Sequence, residues 1–311
     1  MQLVEVHMVG AEPAQALVQR PGQPAVTENK ETLEIGAFLK SRRAGLAPEE
    51  PGLPPVHNRR RVPGLRREEV AQLAGISVDY YIRIEQGRAR SISAPVLKAL
   101  ARALRLTDDE HTYLRNLADP RFADGPQPAL VVSPEIRRLL DAMGPFVPGF
   151  VYGPGLDYLA WNTLGARIAF DLDALPPPQR NAPLLVFGHP ESRDLHPDRE
   201  AVAAETVAAL RADCARYPCH PRVKAVLTEL LTGSPAFRAL WEDQQVREKF
   251  AGSKRIRHPR EGELEVAYET FQATVDPRQT LCTYTVEPGS PSEAALRRLA
   301  GRPEETAALV R

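Results

Sequence analysis

The chain has 311 residues, 43% of them hydrophobic, and its 40 Lys and Arg balance 40 Asp and Glu. That length accommodates two domains of ordinary size. No apolar run approaches the roughly 18 residues of a membrane span, no basic region followed by an apolar stretch opens the chain as an export signal would, and the three cysteines, Cys214, Cys219 and Cys282, make no disulfide framework; a cytoplasmic setting with no membrane partner is expected.

Residues 1–30 show no helical or strand period and read as a disordered N-terminal extension. Ile35, Phe38 and Leu39 then give the spacing of a first helix, which ends in Lys40, Arg42 and Arg43. Prolines 48, 51, 54, 55 and 63 make the stretch from 45 to 64 a loop. It carries Arg59, Arg60 and Arg61, which read either as a solvated charge run or as a basic arm for phosphates or a minor groove. From Leu65 to Arg88 come two short helices joined by a tight turn. Val70, Leu73 and Ala74 share one face of the first, and Gly75 ends it. Ser77 caps the second. Ile76, Tyr81 and Ile84 are spaced to face a core, which leaves Val78, Asp79, Ile82 and Arg83 facing outward. Leu97, Leu100, Ala101 and Leu104 form the stripe of a fourth helix. Thr107 to Glu110 has the form of a capping box and starts a fifth helix with Tyr113, Leu114 and Leu117 inward; Asp119-Pro120 stops it. The expected first domain is therefore an all-α, five-helix unit over residues 31–119.

A proline-bearing linker follows over 120–132, and a second domain is expected over 133–290. Ser133-Pro134 caps a helix with Ile136, Leu139, Leu140 and Met143 on its stripe. Phe150–Tyr152 and Leu156–Trp161 read as two short strands around Gly153–Gly155, and Asn162 caps a brief helix. Ala203, Val207, Leu210, Cys214 and Tyr217 line one face of a long helix; Val223, Leu227 and Leu230 give another; Ser234-Pro235 opens a third with Phe237, Leu240 and Trp241 inward. The period then changes to two: Leu264, Val266 and Tyr268 alternate with Glu263, Glu265 and Glu269. Thr280–Val286 is a further strand, and residues 246–258 supply one or two more. Residues 291–311 read as a polar C-terminal tail with one short helix. This order suggests an α+β domain with helices on one side of a sheet and a cavity between the layers.

Charge is distributed unevenly along the chain. Residues 31–119 carry 15 Lys and Arg against 12 Asp and Glu, residues 40–90 carry 11 against 6, and residues 120–311 carry 23 against 25. The positive excess is concentrated around the central helix pair, where contact with phosphate would need it.

The series Glu69, Ala71, Gly75, Ile76, Ser77, Ile84, Glu85 and Gly87 resembles the phage-repressor type of helix-turn-helix, the XRE family. The longer run from Arg60 to Arg90 is similar to regulators that pair this domain with an MmyB-like ligand-binding domain, and the resemblance spans Glu31 to Leu299. It implies a sequence-specific DNA-binding transcription regulator with a PAS-like sensor of an apolar or amphipathic small molecule, fatty-acyl compounds included. By position, Val78, Asp79 and Arg83 match base-edge contacts and Ser77 a phosphate contact. Arg83 suits guanine O6 and N7; Asp79 suits cytosine N4 or a water, or aims Arg83 from four residues away. Tyr80 reaches phosphate through its hydroxyl, and Arg66, Arg67 and Arg88 complete the expected DNA-binding set. The family usually has Gln at the positions of Arg67 and Val78, so recognition here shifts from amide towards charge. Glu85 is expected in a structural ion pair or a loop cap.

In the second domain, Arg255, Arg257 and His258 read either as a solvated strand face or as an anchor for an effector's acid group. Tyr152, Trp161 and Asn162 read as core or as the mouth of a pocket, and Tyr268 joins the candidate ligand-binding set. Cys214 and Cys219-His220 lack a second ligand pair, so no metal site is assigned, and Cys282 is expected in the core. The sequence holds no phosphate-binding glycine loop, G-x-S-x-G or H-E-x-x-H; no catalytic residue or cofactor is assigned. The expected protein is a nucleoid-associated homodimer on a double-stranded operator, switched by effector entry. A DNA-tethered enzyme and a helix-turn-helix protein-interaction module are the two alternative classes.

Overall fold

The computed structural model describes residues 27–46, 64–89, 91–119, 130–246, 251–274 and 276–301. Most of the expected N-terminal extension, the arm with Arg59, Arg60 and Arg61, most of the linker and the end of the tail lie outside these residues. Among the described residues, no helix is long and apolar enough to cross a membrane.

The first domain has the five expected helices: α1 (Thr27–Gly45), α2 (Arg67–Ala74), α3 (Val78–Glu85), α4 (Ala94–Ala103) and α5 (Asp108–Ala118). α1 begins ahead of the boundary expected at Glu31. Gly75 closes α2 in the left-handed conformation, φ 66°, with its N–H on the carbonyls of Ala71 and Gln72. The Ser77 side chain then accepts from the Tyr80 N–H and starts α3. Thr107 and Glu110 form the expected capping box on α5. Phe38, Leu39, Leu65, Val70, Ala71, Tyr81, Leu100 and Leu114 are buried in one core. Gly36 sets how closely α1 crosses α3, because a Cβ there would lie 2.3 Å from the Glu85 carbonyl oxygen.

The second domain runs through α6 (Pro134–Ala142), β1 (Gly149–Gly153), β2 (Asp157–Trp161), α7 (Thr163–Arg167), α8 (Ala182–Gly188), α9 (Ser192–Leu195), α10 (Arg199–Arg216), α11 (Pro221–Gly233), α12 (Pro235–Glu242), β3 (Ala251–His258), β4 (Gly262–Gln272), β5 (Thr280–Thr285) and α13 (Pro291–Ala300). The strands form one antiparallel sheet in the order β2-β1-β5-β4-β3. Leu264, Val266 and Tyr268 point into the core and Glu263, Glu265 and Glu269 point out, as the alternation predicts.

Residues 251–258 form one strand, β3, within the one or two expected. Three features depart from the expected outline. The short helices α8 and α9 appear, carrying buried Leu185 and Leu195. α6 covers the sheet face opposite the other helices, where Leu140 packs on Val151, Ala160 and Leu281. α13 belongs to the domain core, since Ala295, Leu296 and Leu299 are buried against the sheet; the segment assigned to a tail seals the sheet instead.

α10 is buried nearly all round, more than its single expected stripe. Its alanines are the reason: Ala208, Ala209, Ala212 and Ala215 let neighbours approach from every side. Ala212 and Ala215 pack into the core of the first domain, so the two domains share one apolar cluster.

Candidate functional site

α3 presents two contrasting faces. Tyr81 and Ile84 are fully buried, whereas Ser77, Asp79 and Arg83 are exposed and Val78 and Ile82 half-exposed. Among the described residues, neither Asp79 nor Arg83 has a side-chain partner, so the ion pair between them does not form and both heads face solvent. Arg88 is exposed one turn beyond, its N–H on the Arg83 carbonyl at 2.8 Å.

Two expected contact residues, Tyr80 and Arg67, have side-chain partners within the domain, and a third, Arg66, is bonded through its backbone N–H. Arg66 precedes α2, with its N–H on Glu69 Oε2 at 2.7 Å. The Tyr80 hydroxyl lies 3.4 Å from the Ser91 carbonyl. The Arg67 guanidinium is bonded to Glu85, and that bond holds it further above its ordinary pKa. Glu85 also receives Arg43 Nε at 2.8 Å, and its side chain is 1% exposed. The expected structural role of Glu85 is therefore the one observed: it clamps α1 and α2 to the end of α3.

In the second domain two chambers lie between the sheet and α10. The larger, about 80 Å³, is walled by Tyr152, Thr206, Ala209, Ala212, Thr280 and Cys282, with Arg216 and Arg278 among its polar residues. The smaller, about 40 Å³, is walled by Phe150, Tyr158, Phe170, Val202, Lys254 and Tyr284. Tyr152, Ala182 and Thr206 line both. Aromatic rings dominate the partition, with Tyr152 and Tyr158 centroids 4.8 Å apart and Phe150 and Tyr284 5.1 Å apart. Burial pushes the Tyr158 phenol up to about 12 and those of Tyr152 and Tyr284 well above their ordinary value. All three are neutral hydroxyls, suited to hydrogen bonding rather than ionisation.

Of the expected ligand-binding residues, Tyr152 lines these chambers. Tyr268 is buried beside them, with the Lys254 ammonium 5.9 Å from its ring centroid. The anchor cluster is not brought to a chamber wall. Period-two alternation turns Arg255 and Arg257 to the outer sheet face, where Arg255 bonds Asp198 and Glu263 and Arg257 lies 3.8 Å from Glu263. His258 faces inward but closes a turn, its Nε2 3.1 Å from the Arg167 carbonyl and its Nδ1 accepting from the N–H groups of Arg260 and Glu261. Trp161 donates to Asp173 at 2.9 Å beneath Arg180. Asn162 braces the corner between β1 and α7, accepting from Gly149 and Gly165 and donating to the Val147 carbonyl.

Lys254 lines the smaller chamber and was not singled out from the sequence, nor were Arg216 and Arg278 of the larger one. The Lys254 ammonium lies 4.3 Å from the Tyr284 ring centroid and bonds the Tyr284 hydroxyl. The signal was its register, two positions before buried Ile256 on the same strand. Cys214 is half-buried, Cys219 exposed, and Cys282 buried in the larger chamber's wall.

No curated protein matches the chain. A helix-turn-helix domain family matches residues 34–114, over the five-helix unit that displays α3. The family of the MmyB-like transcription regulator ligand binding domain matches residues 132–299, from the approach to α6 to the end of α13. That second match covers more than half of the chain, and with both matches in hand the protein belongs to the MmyB-like regulators: a DNA-binding transcription regulator with a ligand-sensing domain behind its helix-turn-helix.

Proposed function

We propose that this regulator binds a roughly two-fold operator as a homodimer, reads it with α3, and is switched by an apolar or amphipathic small molecule held between the sheet and α10. One observation carries the DNA reading: α3 buries Tyr81 and Ile84 completely while Ser77, Asp79 and Arg83 remain in solvent. A helix held rigidly by one face and bare on the other is what entry into a major groove requires. In this reading Arg83 takes a guanine edge, Asp79 a cytosine amino group or a water, and Ser77, Tyr80 and Arg88 approach phosphates, joined by Arg66 and by the Arg59–Arg61 arm. Arg67 contributes mainly through Glu85. Two copies on one operator place half-sites about one helical turn, or a multiple, apart.

For the effector, the chambers supply apolar walls, three neutral phenols, the ammonium of Lys254 in the smaller one and the guanidinium groups of Arg216 and Arg278 in the larger. That chemistry fits a molecule with an apolar body and a polar or acidic head, a fatty-acyl chain included. Lys254, with Arg216 and Arg278, replaces Arg255, Arg257 and His258 as the natural partner of such a head.

The experiment is selection of duplexes from a random pool by the full-length protein, followed by affinity measurement across a salt series. The expected result is a two-fold-symmetric consensus whose affinity falls steeply with salt, as release of counterions from phosphates demands. Failure to enrich any sequence would remove the DNA reading. Calorimetric titration with dodecanoate, against dodecylamine as the opposite-charge control, tests the effector class.

A further inference from the structure

The helix that walls the effector chamber also walls the DNA-binding domain. Along α10, Thr206, Ala209, Asp213 and Arg216 recur at intervals of three and four and line the larger chamber. Arg211 and Ala215 lie on another side and face α1 and α5. Ala212 stands between, part of the chamber wall and of the first domain's core at once. One helix thickness separates the chamber from the first domain's core.

Arg211 is the polar centre of that partition. It is fully buried. Within its own domain Nη1 donates to Gln244 Oε1 at 3.0 Å, Nη2 bonds the Trp241 carbonyl, and the guanidinium lies 3.9 Å from the Trp241 ring centroid. Across the interface Nη1 lies 3.8 Å from Glu34 Oε1 on α1, and the same oxygen accepts from the Tyr113 hydroxyl of α5 at 3.2 Å. A second arginine reaches back the other way: Arg42 of α1 bonds the Gln244 carbonyl. The interface thus joins α1, α5, α10 and the end of α12 through one buried charge. Among the described residues, Arg211 Nε is buried with no hydrogen-bond partner. A buried guanidinium with an unmet donor is costly, and such a group holds its place only while its neighbours hold theirs.

The chamber's size adds the second half. At about 80 Å³ it offers roughly half the ~150 Å³ cavity that takes up a benzene-sized guest. An amphipathic chain therefore buries its whole apolar body here only if a wall yields. The sheet side is fixed by ladders of hydrogen bonds to neighbouring strands. The opposite side is α10, made of alanines and bound outward by Arg211.

We infer that α10 is the element through which the effector chamber and the reading head bias one another, with Arg211 as the positioning residue that sets its seat against α1 and α5. This rests on the sensor reading above. Occupying the chamber displaces α10 and alters the Arg211–Glu34 contact; by linkage, DNA binding that shifts α1 and α5 must alter the chamber wall in return. That reciprocity lets the inference be tested without the natural effector.

The test is amide hydrogen exchange on the full-length protein, free and saturated with a duplex enriched by selection. The expected result is an exchange change of about threefold or more in residues 206–216. Arg211→Met, and separately Glu34→Gln, should retain duplex affinity within about threefold, as neither lies on the reading face, and should lose most of that change. Glu34→Gln keeps the inference testable if Arg211→Met does not fold, because Glu34 is partly exposed and its replacement is isosteric. Wild-type protein that binds the duplex with unchanged exchange over 206–216 would overturn the coupling. A folded Glu34→Gln or Arg211→Met that keeps the full change would remove Arg211 from it. If no duplex is enriched, the DNA reading itself has failed, and coupling to it fails with it.

Discussion

Arg43 Nε donates to Glu85 Oε1 at 2.8 Å, locking the end of α1 to the end of the reading helix. Arg67 bonds the other carboxylate oxygen. The arrangement is asymmetric: the side chains of Arg43 and Glu85 are 12% and 1% exposed, while that of Arg67 is 40% exposed. Removing the carboxylate strands Arg43 in a low-dielectric site, whereas Arg67 can turn to water. Glu85→Ala should therefore lower stability by about 2–4 kcal/mol, read from urea unfolding. Arg67→Ala should cost about 1 kcal/mol or less. Equal losses for the two variants would contradict the asymmetry.

Arg83 and Arg88 are both exposed near the end of α3, yet they should fail differently. Arg83→Ala should weaken the selected operator by about 1–3 kcal/mol and relax preference at a single base pair in each half-site. Arg88→Ala should weaken selected and scrambled duplexes alike and lower the salt slope by about one. Neither change should move the unfolding midpoint appreciably, because neither side chain is buried. Gel shifts with both duplexes at two salt concentrations separate the outcomes.

Local signals in the chain made the helices, caps and turns of the first domain readable. Gly75 ended α2, Ser77 started α3 and Thr107 with Glu110 started α5, each through contacts within a few residues. The outward set on α3 was readable for the same reason, since one helical period fixes both faces. What stayed hidden is long-range. Gly36 looks like any helical glycine until α3 crosses it 49 positions later at Glu85. Arg211 reads as an ordinary surface arginine until Glu34, Tyr113 and Trp241 surround it. In β3 the solvated-face reading of Arg255 and Arg257 was legible, but Lys254 was not: the ladder pairing it with Val266 is what places it on the inner face. α13 read as tail because its sequence is polar on average, with only Ala295, Leu296 and Leu299 showing the face that packs.

Ala209 sits on the chamber side of α10 at 5% exposure. Ala209→Leu adds three carbons to a cavity that has room for them. The variant should gain about 0.5–1 kcal/mol in stability, as filled cavities commonly do. Dodecanoate affinity should fall about tenfold or more, equivalent to 1.4 kcal/mol or greater, with affinity for the selected duplex retained. Calorimetry and thermal melting report both arms. Undiminished dodecanoate binding would place the effector outside this chamber.

His220, at the start of α11, gives the second domain a pH dependence. Its Nδ1 is buried with no hydrogen-bond partner among the described residues. Burial, and then the charge of Arg278, hold its pKa below the ordinary 6.5, with Asp157 opposing them. The unfolded chain therefore binds a proton at His220 more readily than the folded protein does. The associated stability is complete above pH 6.5, the unfolded value, and is lost as pH falls from there through the folded value. Because the ring is partly exposed, the effect is modest and best read as a difference. Melting midpoints of wild type and His220→Asn should be compared across a series from about pH 7.5 to 5.5. Wild type should fall further than the variant over that interval. Parallel curves would mean that His220 titrates alike in both states and that the acid sensitivity of the fold arises elsewhere.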